Sequence, residues 1–457
     1  MSHIILIPEF KRLIAENDID TLSEFFTDYH PKQSAEFLED LSPEEVWFIL
    51  LLLDIDDAGS IFSYFEIEEQ VKLLQQGDDS SVEKLLEAFS SDDRADLFKA
   101  LDEETYSRLI ALLTKEDKED VEDLISYEEG TAGAVMSTDY MYCYVDQTIE
   151  DLFFYLREHG SSKETIYYIY VVDENDALKG MVTLKDAVLS KPTDLIRDIM
   201  NTDLITSSIE EDQEVVAKLI EEYDVMALPI LDENGILKGI ITYDDVIDII
   251  HEEQTEDFQR MMAISGVVED RDYLDVPVFV HFKKRIPWII VLFCLGVVSS
   301  RVIVHYEDVL SQVVILAFFF PLLNGTGGNT GAQSASMVLR SLTLETLKDS
   351  DFSKALRKEF LIALMVGTVL FVIMSLSFYL FGFAQGSPFP VWKISLAVSL
   401  ALSFQVISAT LIGASLPMIA SKLKLDPAVV AMPAITTIVD FTGLIIYFNV
   451  AKIILGL

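Results

Sequence analysis

The sequence predicts a multidomain membrane protein: an all-α superhelical N-terminal domain, an α/β pair made by a tandem repeat, and an α-helical transmembrane domain of five spans. Three observations carry this. Charge divides the chain, with 20 Lys/Arg against 68 Asp/Glu in residues 1–282 and 13 against 8 in residues 283–457. Part of the acidic half repeats at an offset of 59 residues. The second half holds five apolar segments that reach the ~20 residues needed to cross a bilayer.

A net charge of −43 disfavours nucleic acid, whose phosphates it would repel, and suits a surface that meets cations; solubility is the plainer use of most of these carboxylates. Cys143 and Cys294 lie far apart and form no disulfide framework or metal motif. The N-terminal Met-Ser-His-Ile-Ile-Leu-Ile-Pro lacks a basic region and a long apolar core, so no cleaved signal peptide is expected. There is no nucleophile–base set, phosphate loop or zinc spacing, and the six histidines are scattered, which argues against an enzyme.

Residues 1–132 read as helices. Apolar residues recur every three to four positions (Leu22, Phe25, Phe26; Val46, Ile49, Leu50, Leu53; Val82, Leu85, Leu86, Phe89), the period of short amphipathic helices that stack as a superhelix. Ser42-Pro43-Glu44-Glu45 reads as an N-cap, a first-turn proline and first-turn acids; Ser91-Asp92-Asp93 and Thr114-Lys115-Glu116-Asp117 read alike. Asp92 and Asp96, four apart, share a helix face, either as a solvated pair or as part of a cation site.

Residues 133–199 and 200–250 form the repeat. Val172-Asp173-Glu174-Asn175 is echoed by Leu231-Asp232-Glu233-Asn234, and Gly180-Met181-Val182-Thr183-Leu184-Lys185-Asp186 by Gly239-Ile240-Ile241-Thr242-Tyr243-Asp244-Asp245. Each unit reads helix, buried strand, acidic turn, strand, helix, with the threonine as a natural N-cap. The signature Gly-h-h-Thr-x-x-Asp, present twice, resembles paired CBS domains. In members that bind adenine nucleotides the Thr meets phosphate and the Asp ribose, which would give Thr183, Asp186, Thr242 and Asp245 those roles, with ATP as a possible ligand. Helix capping alone also accounts for both residues.

Residues 251–282 read as a connecting helix in which acids recur by four, before the basic boundary Lys283-Lys284-Arg285. The five spans fall at about 286–304, 309–341, 360–383, 392–420 and 428–455. Lys and Arg cluster before the first span, between the second and third, and between the fourth and fifth, which places the N-terminus inside and the C-terminus outside. The second segment is too long for one upright span, so it tilts, emerges or breaks, and Pro321 to Gln333 is the candidate break. Gly325, Gly328 and Gly331 either line a cavity or let helices approach closely.

Asp440 lies mid-way along the last span, with about ten apolar or small residues on each side. A carboxylate there is costly, and function is the default explanation; pairing with Arg301 of the first span is the alternative.

Pro-Leu-Leu-x-Gly-x-Gly-Gly-Asn-x-Gly-x-Gln with Arg340, Asp426-Pro427-Ala428, and Thr436-Thr437-x-x-Asp440-x-Thr442-Gly443 resemble the MgtE family of magnesium channels, as does the domain order. One departure is Ala431-Met432 where the family commonly has Ser-Gly before the proline. The resemblance implies a homodimer in a bacterial plasma (inner) membrane, with last spans lining a pore and Asp440 as its metal residue. Asn324, Gly325, Gly328, Asn329 and Thr437 are the pore-lining candidates. It also implies Mg²⁺ as permeant ion and as regulator, bound by Asp212, Glu214, Asp224, Asp245, Asp248, Glu253, Glu256, Asp257 and Asp426, with Asp92 and Asp96 in the helical domain. The reading is a magnesium-selective channel shut by cytosolic Mg²⁺. An ion-coupled secondary transporter of Mg²⁺ or Co²⁺ and a non-transporting membrane Mg²⁺ sensor are the alternatives.

Overall fold

A computed structural model describes residues 6–266, 273–274, 276–344, 346–383, 388–429 and 432–457. The chain forms two compact units, Met1–His251 and Glu252–Leu457.

In the first unit, helices from Ile7–Glu16 to Lys115–Ser126 follow one another with two- to five-residue breaks. Each buries one apolar stripe, and the stripes meet in a core that includes Phe26, Leu38, Ile49, Phe62, Leu73 and Leu86. The stops are chemical. Ser42 accepts from the Glu45 amide while Glu45 returns the bond, a closed capping box ahead of Pro43–Leu50. Thr114 caps Lys115–Ser126. Ser91 does not act as a cap: Ser90 is the N-cap of Ser91–Lys99 and makes no side-chain cap bond, which leaves the Ser91 hydroxyl to meet Ser137 Oγ at 3.0 Å.

The repeat builds two three-stranded sheets, β1 (Met141–Tyr144), β2 (Tyr168–Val172) and β3 (Leu178–Thr183), then β4 (Ser207–Ser208), β5 (Ala227–Leu231) and β6 (Leu237–Thr242). In each sheet the first pair is parallel and the second antiparallel. The 59-residue offset holds strand for strand in β2/β5 and β3/β6, and it carries the same irregularity, between Val171 and Val172 and between Ile230 and Leu231. Upstream the offset becomes 64, relating helix Ile149–His159 to Gln213–Tyr223, because the first repeat is five residues longer between helix and strand. The leading strands β1 and β4 were not expected from the sequence.

Helix Tyr243–Met261 begins in the second repeat and runs through residue 250, where a domain boundary was expected. It covers only the first part of the connecting helix expected over 251–282 and stops at Met261, after which Ala263 and Gly266 have φ of 60° and 106°. Residues 267–272 and 275 lie outside the described residues.

In the second unit four helices are long and apolar enough to span a membrane: Val278–His305, Phe352–Phe381, Val391–Lys422 and Met432–Leu455. Phe320–Thr343 adds a fifth long helix, less apolar because it carries the glycine and amide run. That run is continuous helix, not a break. The interruption lies before it, where the chain turns at Val313 and passes through a 3₁₀ stretch, Val314–Phe319, with Pro321 in the first turn that follows. Val278–His305 buries no residue, whereas Val391–Lys422 buries half its length and forms the centre of the unit.

Candidate functional site

The glycines of Phe320–Thr343 explain why it stays helical. A Cβ at Gly328 would stand 2.8 Å from Thr436 Cγ2, and one at Gly331 would stand 3.2 Å from Val439 Cγ2. A Cβ at Gly413 would overlap the Gly331 carbonyl oxygen. Phe320–Thr343 and Val391–Lys422 therefore approach to backbone contact, and side chains of Met432–Leu455 fill the space beside Gly328 and Gly331. Gly328 and Gly331 serve close packing; Gly325 has nothing within 4 Å of a would-be Cβ, and Asn329 is exposed.

Asp440 lies on Met432–Leu455, one turn beyond Thr436. Its Oδ1 is buried and has no hydrogen-bond partner among the described residues; Asn324 Oδ1 is in the same condition. No ion pair joins Asp440 to Arg301 among the described residues. Thr437 donates its hydroxyl to the Pro433 carbonyl at 2.8 Å and so is a self-bonded helix residue. Ala431 lies outside the described residues.

A second group of carboxylates lies in the first unit, beside a cleft of about 900 Å³ lined in part by Asp117, Asp120, Asp139 and Glu164. Ser137 donates to Glu164 at 3.2 Å, and Asp139 accepts from the Ser91 amide at 3.0 Å and from Lys163 at 3.3 Å. Loss of water in the cleft, then the charges of Asp92 and Asp245, pushes Glu164 up to about 8. Desolvation followed by the Asp92 charge pushes Asp245 up to about 7. Burial raises Asp92 also, and Asp92 Oδ1 is without a partner among the described residues. Asp92, Asp245 and Glu164 thus crowd one another, with Asp96 one turn from Asp92 and bonded to Lys99 at 2.7 Å. Among the described residues no three acidic, His or Cys side chains stand in metal-holding geometry. Burial and mutual repulsion raise Asp92, Asp245 and Glu164 together, and one Asp92 oxygen has no partner among the described residues.

The other acids are dispersed. Asp212 caps helix Gln213–Tyr223 and Glu214 bonds Lys218 at 2.9 Å, while Asp224 terminates that helix at its far end with φ 52°. Asp248 is exposed. In the second unit Arg260 forms ion pairs with both Glu256 and Asp426, so two of the expected cation ligands share one guanidinium.

The comparisons with known proteins cover the whole of this arrangement. The family described as a divalent cation transporter, MgtE, matches residues 320–450; the MgtE intracellular N domain matches 29–130; CBS domains match 132–190 and 196–252. The magnesium transporter MgtE of Thermus thermophilus is 35% identical over 453 residues, 98% of each chain. This chain belongs to the MgtE family. The Bacillus subtilis magnesium transporter MgtE is 30% identical over 451 residues, 99% of this chain and 98% of that one. The crystal structure of the soluble part of a magnesium transporter aligns with a TM-score of 0.51 at 28% identity, covering 55% of this chain and 99% of that one. As an MgtE-family protein it is a membrane transporter, not an enzyme.

Within this MgtE chain Thr183 is the N-cap of Leu184–Leu189, accepting from the Asp186 amide at 3.1 Å, and each signature threonine bonds its aspartate. Thr183 Oγ1 donates to Asp186 at 2.6 Å, and Thr242 Oγ1 to Asp245 at 2.5 Å. Three residues of interest escaped the sequence reading. Glu164 sits in the five-residue extension that only the first repeat has. Arg260 is a single cation among the acids of its helix, and its partner Asp426 is far away in sequence. Gln405, a lone amide in an apolar helix, was the one with a legible signal.

Proposed function

We propose that the protein is a magnesium-selective channel that mediates Mg²⁺ influx and is shut by cytosolic Mg²⁺. The observation that carries the reading is Asp440: a carboxylate on an apolar 24-residue helix, with a buried oxygen left unpartnered among the described residues. Relatives named magnesium transporters over nearly the whole chain support the ion. Mg²⁺ parts reluctantly with its waters, so a carboxylate contact through the hydration shell can select it and still let it leave. We count Phe320–Thr343 as the fifth span and place the N-terminus inside, the C-terminus outside and two copies about an axis that brings their Asp440 residues together. Asn324 and Gly325 are the further wall candidates.

For closure, we assign Mg²⁺ to Glu164 of the cleft together with Asp92, Asp96 and Asp245, whose charges act with it, and to Glu253, Glu256, Asp257 and Asp426. A bound Mg²⁺ supplies positive charge to carboxylates that otherwise repel. Asp245 lies in the first turn of the helix that carries Arg260 in its last, so one element bears residues of both groups. The conformation in which the carboxylates converge is the one a divalent cation favours. Any adenine nucleotide belongs at Thr183 and Asp186, which are more open than the buried Thr242.

Current across a planar bilayer tests the channel reading. Mg²⁺ current without a counter-ion gradient is expected; saturating carrier-like flux that requires Na⁺ or H⁺ would replace it with the coupled transporter.

A further inference from the structure

One polar side chain in the membrane unit has no part in the pathway described so far. Gln405 lies in the middle of the 32-residue apolar helix Val391–Lys422 and is 1% exposed. Neither Nε2 nor Oε1 has a hydrogen-bond partner among the described residues. A buried amide with both ends unpaired is destabilising, and native structures rarely keep one without a use.

The backbone is shaped around it. A Cβ at Gly327 would overlap Gln405 Nε2, and a Cβ at Gly443 would overlap the same atom. The two glycines, one on Phe320–Thr343 and one on Met432–Leu455, form a notch, and the amide fills it.

The level of that notch is informative. The two helices run antiparallel: Gly328 meets Thr436, Gly331 meets Ile435, and Ser336 meets Met432. Asn324 precedes Gly327 by three residues, and Asp440 precedes Gly443 by three. Those pairings bring Asn324 and Asp440 to within about 6 Å of one level along the bundle at ~1.5 Å per residue, near the glycines that hold Gln405. All three carry a buried, unpartnered side-chain oxygen.

We propose that Gln405 is a specificity-determining residue of the cation pathway, its amide oxygen accepting hydrogen bonds from the water shell of a divalent cation that passes between Asn324 and Asp440. The inference rests on the Mg²⁺ pathway reading. A neutral acceptor suits that level: it continues the polar file without adding a second charge that would hold the ion. At 1% exposure the notch is shut in this conformation, so access of the ion to the amide requires the glycine faces to separate. Mg²⁺ keeps its waters more stubbornly than Mn²⁺, so an acceptor that reads the hydration shell discriminates between them.

The test is Mg²⁺ and Mn²⁺ uptake into proteoliposomes by Gln405→Met, Gln405→Glu and Asp440→Asn. Gln405→Met, close in volume, is expected to lose at least tenfold in Mg²⁺ uptake. Gln405→Glu, which keeps an acceptor, is expected to transport while its Mg²⁺:Mn²⁺ ratio shifts at least threefold; a packing role alone would leave that ratio unchanged. Should Gln405→Met fail to assemble, the ratio in Gln405→Glu decides, and an unchanged ratio overturns the inference. Loss of uptake in Asp440→Asn beside wild-type rates and ratios in both Gln405 variants overturns this inference alone. Normal uptake by Asp440→Asn removes the pathway reading beneath it.

Discussion

Arg260, in the last turn of helix Tyr243–Met261, holds the carboxylate of Asp426 at the foot of the last membrane helix and takes Glu256 on the same guanidinium. Both acids are expected to serve a regulatory cation, so the arginine occupies the electrostatic place that the cation would take. The pair is part-exposed, and such pairs contribute no more than about 1 kcal/mol. Arg260→Ala frees two carboxylates. On the proposed channel reading, the Mg²⁺ concentration for half-closure is therefore expected to fall, by up to ~5-fold on that scale. Titration of current against internal Mg²⁺ measures it; a rise would show that the arginine supports closure directly.

The cleft acids give a pH prediction. Glu164 at about 8 and Asp245 at about 7 are raised above the usual carboxylate range, so their neutral forms are favoured in the folded state. Their contribution to stability is in place at low pH and is lost as pH rises through the window from about 4 to about 8. In magnesium-free buffer the thermal midpoint of the acidic first unit should fall between pH 6 and pH 8, and Glu164→Gln should flatten that fall. Added Mg²⁺ should restore the midpoint at pH 8. A midpoint that rises with pH would contradict the crowded-carboxylate account.

The glycine contacts predict a contrast. Gly413→Ala drives a methyl into the Gly331 carbonyl, a backbone atom that cannot swing aside, and overpacking of this kind costs ~1–3 kcal/mol. Gly325→Ala meets open space and gains helix propensity. Detergent thermal stability should drop for the first and hold for the second; equal behaviour would deny the three-helix contact.

How much of this was legible depended on distance along the chain. Asp440 declared itself because a charge in an apolar run needs no partner to be conspicuous. Strands β2, β3, β5 and β6 emerged because the Asp-Glu-Asn turns repeat in register, whereas β4 is two residues long and its offset from the first repeat differs. Glu164 could not be found by comparing repeats, since the second has no counterpart to its loop. Pro321 to Gln333 is only a candidate break in the sequence because the segment is too long for one upright span; Thr436, Val439 and Gln405, distant in sequence, pack against its glycines in the continuous helix. Arg260 and Asp426, 166 residues apart, carried no mutual signal.

Mg²⁺ uptake into proteoliposomes by Asp440→Asn, set beside wild type at equal protein, bears most directly on the central claim. The substitution removes the charge and keeps the shape. The account predicts uptake at the level of empty vesicles from a protein that elutes and melts like wild type. Uptake at the wild-type rate would contradict it and leave the carboxylate without a place in the pathway.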